Sequence, residues 1–230
     1  MKQRTSFFLS AAILLLFSAN AFAQFEGTIS METSSPMAGD KKMPMTISTK
    51  GDKSLIQIES PQGHMAMYND RSTNMITMVM AERKMGFIID GAKSTSSQDS
   101  SKDNSDVTAT GQKKTINGYN CELYTVTSDK NTADWWLTSD LPKSLFDGFK
   151  SALSNPAMSR DHKSHFSPSM EKLFMKGLLP IQIESKRDGK TESTVTFLKY
   201  DQSKLDDSIF VVPSDVKIMQ MPSMGGGGRE

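Results

Sequence analysis

The chain has 230 residues and a formal charge of +1, with 37% hydrophobic and 23% charged residues, one cysteine and 17 methionines. A lone cysteine excludes an internal disulfide framework, and the lack of a glycine period or sustained heptad excludes collagen and coiled coil. Near-neutral charge without clustered Lys and Arg removes the electrostatic basis for nucleic-acid binding, and the supply of Ile, Leu, Val and Phe excludes full disorder.

The N-terminus carries Lys2 and Arg4, an apolar run from Phe7 to Phe17 broken only by Ser10, and then Ala21-Phe22-Ala23. That order of basic end, short apolar stretch and A-x-A site predicts a secretory signal peptide over residues 1–23, cleaved after Ala23. The run is shorter than the roughly 20 apolar residues of a membrane span, so no transmembrane segment is expected. The residue after the cleavage site is Gln24, so no cysteine stands there to accept a lipid. The expected location is the periplasm or the medium. A modest hydrophobic content favours sheets buried on one face over a doubly covered parallel sheet.

From Phe25 to Asp90 the pattern has period two, cut by turn residues at strand-length intervals, which predicts an antiparallel meander. Phe25 to Thr33 reads as the first strand. Met45 to Thr49 and Leu55 to Glu59 flank Lys50-Gly51-Asp52-Lys53 as a hairpin, with Ile47, Ile56 and Ile58 on its buried side. His64 to Tyr68, Asn74 to Met80 and Lys84 to Ile89 continue it. Residues 91–106 are dominated by Ser, Asp, Lys and Thr and read as a long mobile loop. Val107 to Ile116 and Asn120 to Ser128 form a second hairpin about Asn117-Gly118, and Thr132 to Thr138 follows with Trp135-Trp136 pointing to opposite faces.

Helices are predicted only late in the chain. Leu141, Leu145, Phe149 and Leu153 recur at helical spacing behind a cap at Ser139 or Asp140. A second helix starts at Ser167-Pro168, carries Met170, Leu173 and Phe174 on one stripe, and stops at Gly177. The stretch between them, 154–166, has no period and reads as a loop. Leu179 to Lys186 and Ser193 to Tyr200 close the pattern as a hairpin, and residues 219–230 read as a disordered Met- and Gly-rich tail. About ten strands with late helices give an α+β class with a mostly antiparallel sheet, in one domain over 24–218.

No G-x-S-x-G elbow, Walker loop, H-E-x-x-H or C-x-x-C occurs. Nothing in the motifs therefore points to an enzyme or a cofactor. The spacing of His162 and His165, on one helical turn, resembles a metal pair, although a solvated loop explains it as well. Methionine is the unusual feature, with Met65, Met67, Met75, Met78 and Met80 on consecutive predicted strands. Thioethers are soft ligands that select Cu(I), so His64, Met65 and Met67 form a second candidate metal set. The same residues also read as core filler, the more ordinary role, or as a flexible apolar lining. Cys121 reads as a small buried residue, and Asp206-Asp207 as a turn or helix end.

Phe25-Glu26-Gly27, Ile116 to Tyr124, Trp135-Trp136-Leu137-Thr138, Gly177 to Ile183 and Phe210-Val211-Val212-Pro213 resemble, in that order, blocks of an exported bacterial family, domain of unknown function 4412. That family is similar to the periplasmic lipoprotein-carrier (Lol-type) superfamily. The resemblance implies a strongly curved half-barrel whose open face is covered by two or three helices, near Leu145 and Phe174. The expected function is a non-enzymatic exported binding protein. It would hold a lipid-like ligand in a cavity lined by Met65, Met67, Met75, Met78, Met80, Trp136, Phe149 and Phe174. The alternatives are a copper-handling protein, using His64, Met65, Met67, His162 and His165, and an envelope protein that docks a partner.

Overall fold

Short turns oblige successive strands to pair antiparallel with their chain neighbours, and this chain obeys that rule almost throughout. The computed structural model describes residues 25–61, 63–90, 106–128, 131–153 and 168–220. The first meander contains β1 (Gly27–Ser34), β2 (Met43–Lys50), β3 (Lys53–Ser60), β4 (Gly63–Asp70), β5 (Met75–Met80) and β6 (Met85–Asp90). The second contains β7 (Asp106–Ile116), β8 (Tyr119–Ser128), β9 (Asn131–Thr138), β10 (Leu179–Arg187) and β11 (Lys190–Asp201). Between β9 and β10 lie the two helices, α1 (Phe146–Leu153) and α2 (Pro168–Met175), and the last strand is β12 (Lys217–Gln220).

The two meanders fuse where β1 pairs with β11, giving one curved, unclosed sheet in the order β12-β6-β5-β4-β3-β2-β1-β11-β10-β9-β8-β7. Twelve strands replace the ten expected. The periodic pattern misses β12 altogether, which pairs parallel to β6. Its Met219 and Gln220 fall in the stretch expected to be a disordered tail. Four residues are too few to carry a periodic signal, and only their arrival at the β6 edge makes them a strand.

Helix placement follows the apolar stripes. Leu141, Leu145 and Phe149 are four apart and buried, and a 3-10 turn at Lys143–Leu145 leads into α1. Met170 and Phe174 do the same for α2. That helix ends in a Schellman cap, because Gly177 takes φ 84° and donates to the Phe174 carbonyl while Leu178 donates to the Leu173 carbonyl. Both helices pack on one face of the sheet. A side chain at Gly148 of α1 would collide with Ile29 Cδ1. Phe149 stacks at 5.8 Å on Phe197 of β11, and Phe174 lies 6.1 Å from Trp135 of β9. Each large side chain sealed in this way contributes about 2 kcal/mol of transfer free energy.

The opposite face of the first meander is not left to solvent. After β11 the chain runs back across it as a strap, residues 202–216. Glu26 Oε1 accepts from the Leu205 backbone N–H at 2.9 Å, and Lys50 Nζ donates to the Leu205 carbonyl at 2.8 Å. Asp206 caps a short 3-10 turn by accepting from Ser208 N, and Asp207 pairs with Lys50 at 3.0 Å, so this acidic pair is indeed a turn start. Farther along, a Cβ on Gly86 would lie 3.3 Å from Val216 and 2.7 Å from Ile218. The strap explains why both Leu55 and Ile56 are buried on one strand.

Candidate functional site

Ladder register turns the methionine-rich strands into ordered rows, because residues paired across strands share a face. One row on the helix-bearing face reads Met31, Met45, Ile58, Met65, Met80, Met85 from β1 to β6. The next reads Ile29, Ile47, Ile56, Met67, Met78, Phe87, and then Met219 of β12. A third row is polar for most of its length: Thr49, Ser54, Asn69, then Ile76 and Ile89.

Burial grades along these rows. Near the helices Ile29, Ile47 and Ile56 are completely buried, whereas Met65, Met78, Met80, Met85 and Phe87 on β4 to β6 are half-buried. The face is thus a packed core at β1 to β3 and an apolar surface of thioethers farther out. At its polar border, Thr49 is 1% exposed and its Oγ1 has no hydrogen-bond partner. A buried hydroxyl of that kind costs about 1–3 kcal/mol.

The residues singled out from sequence sort as follows. Met65, Met67, Met78 and Met80 come together on this face. Met75 does not, because it is an odd-numbered neighbour on a strand whose even positions, Ile76, Met78 and Met80, face the helices. Phe149 and Phe174 belong to the sealed helix–sheet core rather than to a free lining. Trp135 and Trp136 do point oppositely: Trp135 lies across from Ile183 and Tyr124 and meets Phe174, whereas Trp136 lies across from Gln182 and Leu123. Lys114 Nζ sits 4.0 Å over the Trp136 ring and donates to Gln182 Oε1, so Trp136 is outside the expected cavity.

His64 is separated from its expected partners by the same alternation. It points away from Met65 and Met67, and its Nδ1 lies 2.8 Å from Glu82 Oε1. Glu82 also accepts from the His64 backbone N–H, and that bond is the main reason its carboxyl titrates below the ordinary range. Among the described residues no group of three or more His, Cys, Asp or Glu is arranged to hold a metal. His162 and His165 lie outside the described residues, as do 91–105 and 154–167, which include most of the expected loops.

Cys121 is buried, as expected of a small strand residue, and desolvation pushes its thiol pKa up. Two grooves were not legible in sequence. One, of about 520 Å³, lies between the strap and the sheet, where Pro213, Asp215 and Val216 face Thr46, Gln57 and Tyr68. The other, of about 500 Å³, lies beside Cys121, Asp140 and Leu178. Both are formed by segments distant in sequence, so no local pattern announces them. Neither contains a nucleophile paired with a base.

No helix among the described residues is long and apolar enough to cross a membrane. The fold has solved relatives. An uncharacterised conserved protein from Thermus thermophilus is similar with a TM-score of 0.55 at 6% identity, over 86% of this chain and 91% of that one. MucB in complex with MucA aligns with a TM-score of 0.42 at 11% identity, over 86% and 58%. A LolA superfamily protein from Nitrosomonas europaea aligns with a TM-score of 0.35 at 12% identity, over 82% and 91%. At 6% identity the likeness to the Thermus thermophilus protein speaks of fold alone. No curated protein matches the sequence. A family model, however, matches residues 25–216, nearly the whole span from the first strand to the end of the strap, and the chain belongs to that family, the domain of unknown function DUF4412.

Proposed function

We propose that this protein is an exported, non-enzymatic binding protein that holds an amphiphilic, lipid-like ligand against the outer part of its helix-bearing sheet face. The observation that carries this reading is the graded burial of these rows: Met31, Met45, Ile29, Ile47 and Ile56 on β1 to β3 and Met67 on β4 are sealed, whereas Met65, Met78, Met80 and Met85 on β4 to β6 are half-buried. Methionine suits such a surface because an unbranched, polarizable side chain adapts to ligands of variable shape. The row Thr49, Ser54, Asn69 borders the apolar rows, and its half-buried member on β4, Asn69, supplies polar atoms for a headgroup. Export rests on the predicted signal peptide, and the non-enzymatic reading on the motifs and on the lack of a nucleophile–base pair in either groove.

Native mass spectrometry of the chain, gently purified from an envelope extract of its own host, tests the proposal. A lipid-sized noncovalent adduct is expected. Met78→Asp places a carboxylate on the half-buried surface, where an unpaired charge is strongly disfavoured. It should remove the adduct while far-ultraviolet circular dichroism stays that of a β-rich fold. A bare mass for the wild type, or an adduct unaffected by Met78→Asp, would overturn the reading.

A further inference from the structure

The ladder brings four thioethers into one square. Met65 lies across from Met80, and Met67 across from Met78, on adjacent strands with no bulge between them. Directly opposed residues have Cβ atoms about 5 Å apart, and alternate residues of a strand are about 6.7 Å apart. The centre of the square is then about 4 Å from each Cβ, and each sulfur sits two bonds farther out along a flexible chain. Four sulfurs can therefore converge above the sheet without any change in the backbone.

We propose that Met65, Met67, Met78 and Met80 form an all-thioether site for a soft monovalent cation, Cu(I). Thioethers are neutral and soft, so the set favours Cu(I) over zinc, calcium or magnesium, which take imidazole, carboxylate or water. The arrangement is accessible as well as convergent: Met67 is 1% exposed and forms the floor, whereas Met65, Met78 and Met80 are half-buried. The histidine expected to complete the set from sequence is excluded by strand alternation, which leaves sulfur as the only donor in the square. Met85, across from Met80 on the next strand, offers a fifth thioether for passing the ion along the row.

Because leucine replaces methionine as a hydrophobe but not as a ligand, the site can fail while the apolar-ligand reading stands, and the reverse. The test is an anaerobic Cu(I) titration of the purified chain against bicinchoninate, a chromogenic competitor. Expected is one equivalent withheld from the dye. The quadruple Met→Leu variant at positions 65, 67, 78 and 80 should lose roughly 100-fold or more in affinity, as expected when every soft donor is removed, while its far-ultraviolet circular dichroism stays that of the wild type. Such swaps nearly conserve volume, and the double variant Met78→Leu/Met80→Leu, at two half-buried positions, serves if the quadruple one does not fold. Affinity should be unchanged from about pH 5 to pH 8, since thioethers release no proton on binding. With Ag(I) as an air-stable substitute, methyl resonances of the four square methionines should shift, and those of the exposed Met37 and Met175 should not. Binding no tighter than that of free methionine, unchanged affinity in the Leu variants, a steep pH dependence, or shifts confined to Met37 and Met175 would each overturn the proposal.

Discussion

Replacing Gly27 with alanine attacks the seam that joins the two meanders. Gly27 has φ 152°, and a Cβ built on it would fall 2.0 Å from the backbone carbonyl oxygen of Asp201 and 3.0 Å from Gln202 Cα. The obstruction is backbone, held by the β1–β11 ladder, so it cannot rotate aside as a side-chain tip would. A non-glycine residue in this φ region costs about 1–3 kcal/mol. Forced displacement of packed atoms costs a further 1–3 kcal/mol, roughly. Together they predict a loss of about 4 kcal/mol, and a fall in Tm of about 12 °C for a domain of this size. Gly118→Ala is the control, since it also has positive φ, 85°, but nothing lies within 4 Å of its Cβ. It should cost only about 1 kcal/mol. Urea unfolding followed by tryptophan fluorescence, with a thermal melt by circular dichroism, measures both. If Gly27→Ala loses no more than Gly118→Ala, or less than about 1 kcal/mol, the carbonyl contact does not govern the seam and the reasoning fails.

Thr49→Val, nearly isosteric, should raise stability by about 1 kcal/mol by removing a buried hydroxyl without a partner; a destabilised variant in urea unfolding would contradict that cost. Hydrogen bonding to the Asp134 carboxylate, which also accepts from Thr125 Oγ1, holds the Lys186 pKa above its ordinary 10.5. The folded value exceeds the unfolded one, so this stabilisation is complete below about pH 10.4 and is lost as pH rises through the folded value. Wild-type stability should therefore fall more steeply above about pH 10 than that of Lys186→Met, and parallel pH profiles for the two would refute the assignment. Cys121, 3% exposed with its thiol pKa raised by desolvation, should resist iodoacetamide at about pH 8 until urea unfolds the chain; reaction in the native state at the rate of a free thiol would show that the strand opens locally.

Much of this architecture could be read along the chain because its signals are local. The hairpin at Asn117-Gly118, the Met170–Phe174 stripe and the helix stop at Gly177 each depend on residues within one or two turns of one another. Period two likewise contained the separation of Trp135 from Trp136. It also contained the separation of His64 from Met65 and Met67, and of Met75 from Met78, although grouping those residues by composition obscured it.

Tertiary structure decided the rest. Only the register between strands shows that Met65, Met67, Met78 and Met80 form a square, because cross-strand partners are set by turn lengths and bulges rather than by any single strand's pattern. Only the fusion of β1 with β11 sets α1 over β1 and β2 while α2 packs on β9, sealing Ile29 and Ile47 and leaving Met65, Met78 and Met80 half-buried. The strap over the opposite face and the parallel β12 come from contacts between segments more than a hundred residues apart. Sequence by itself determined which residues are apolar, which alternate and where the chain turns; which apolar residues are left for a ligand was settled by where the helices and the strap come to rest, a property of the packed whole.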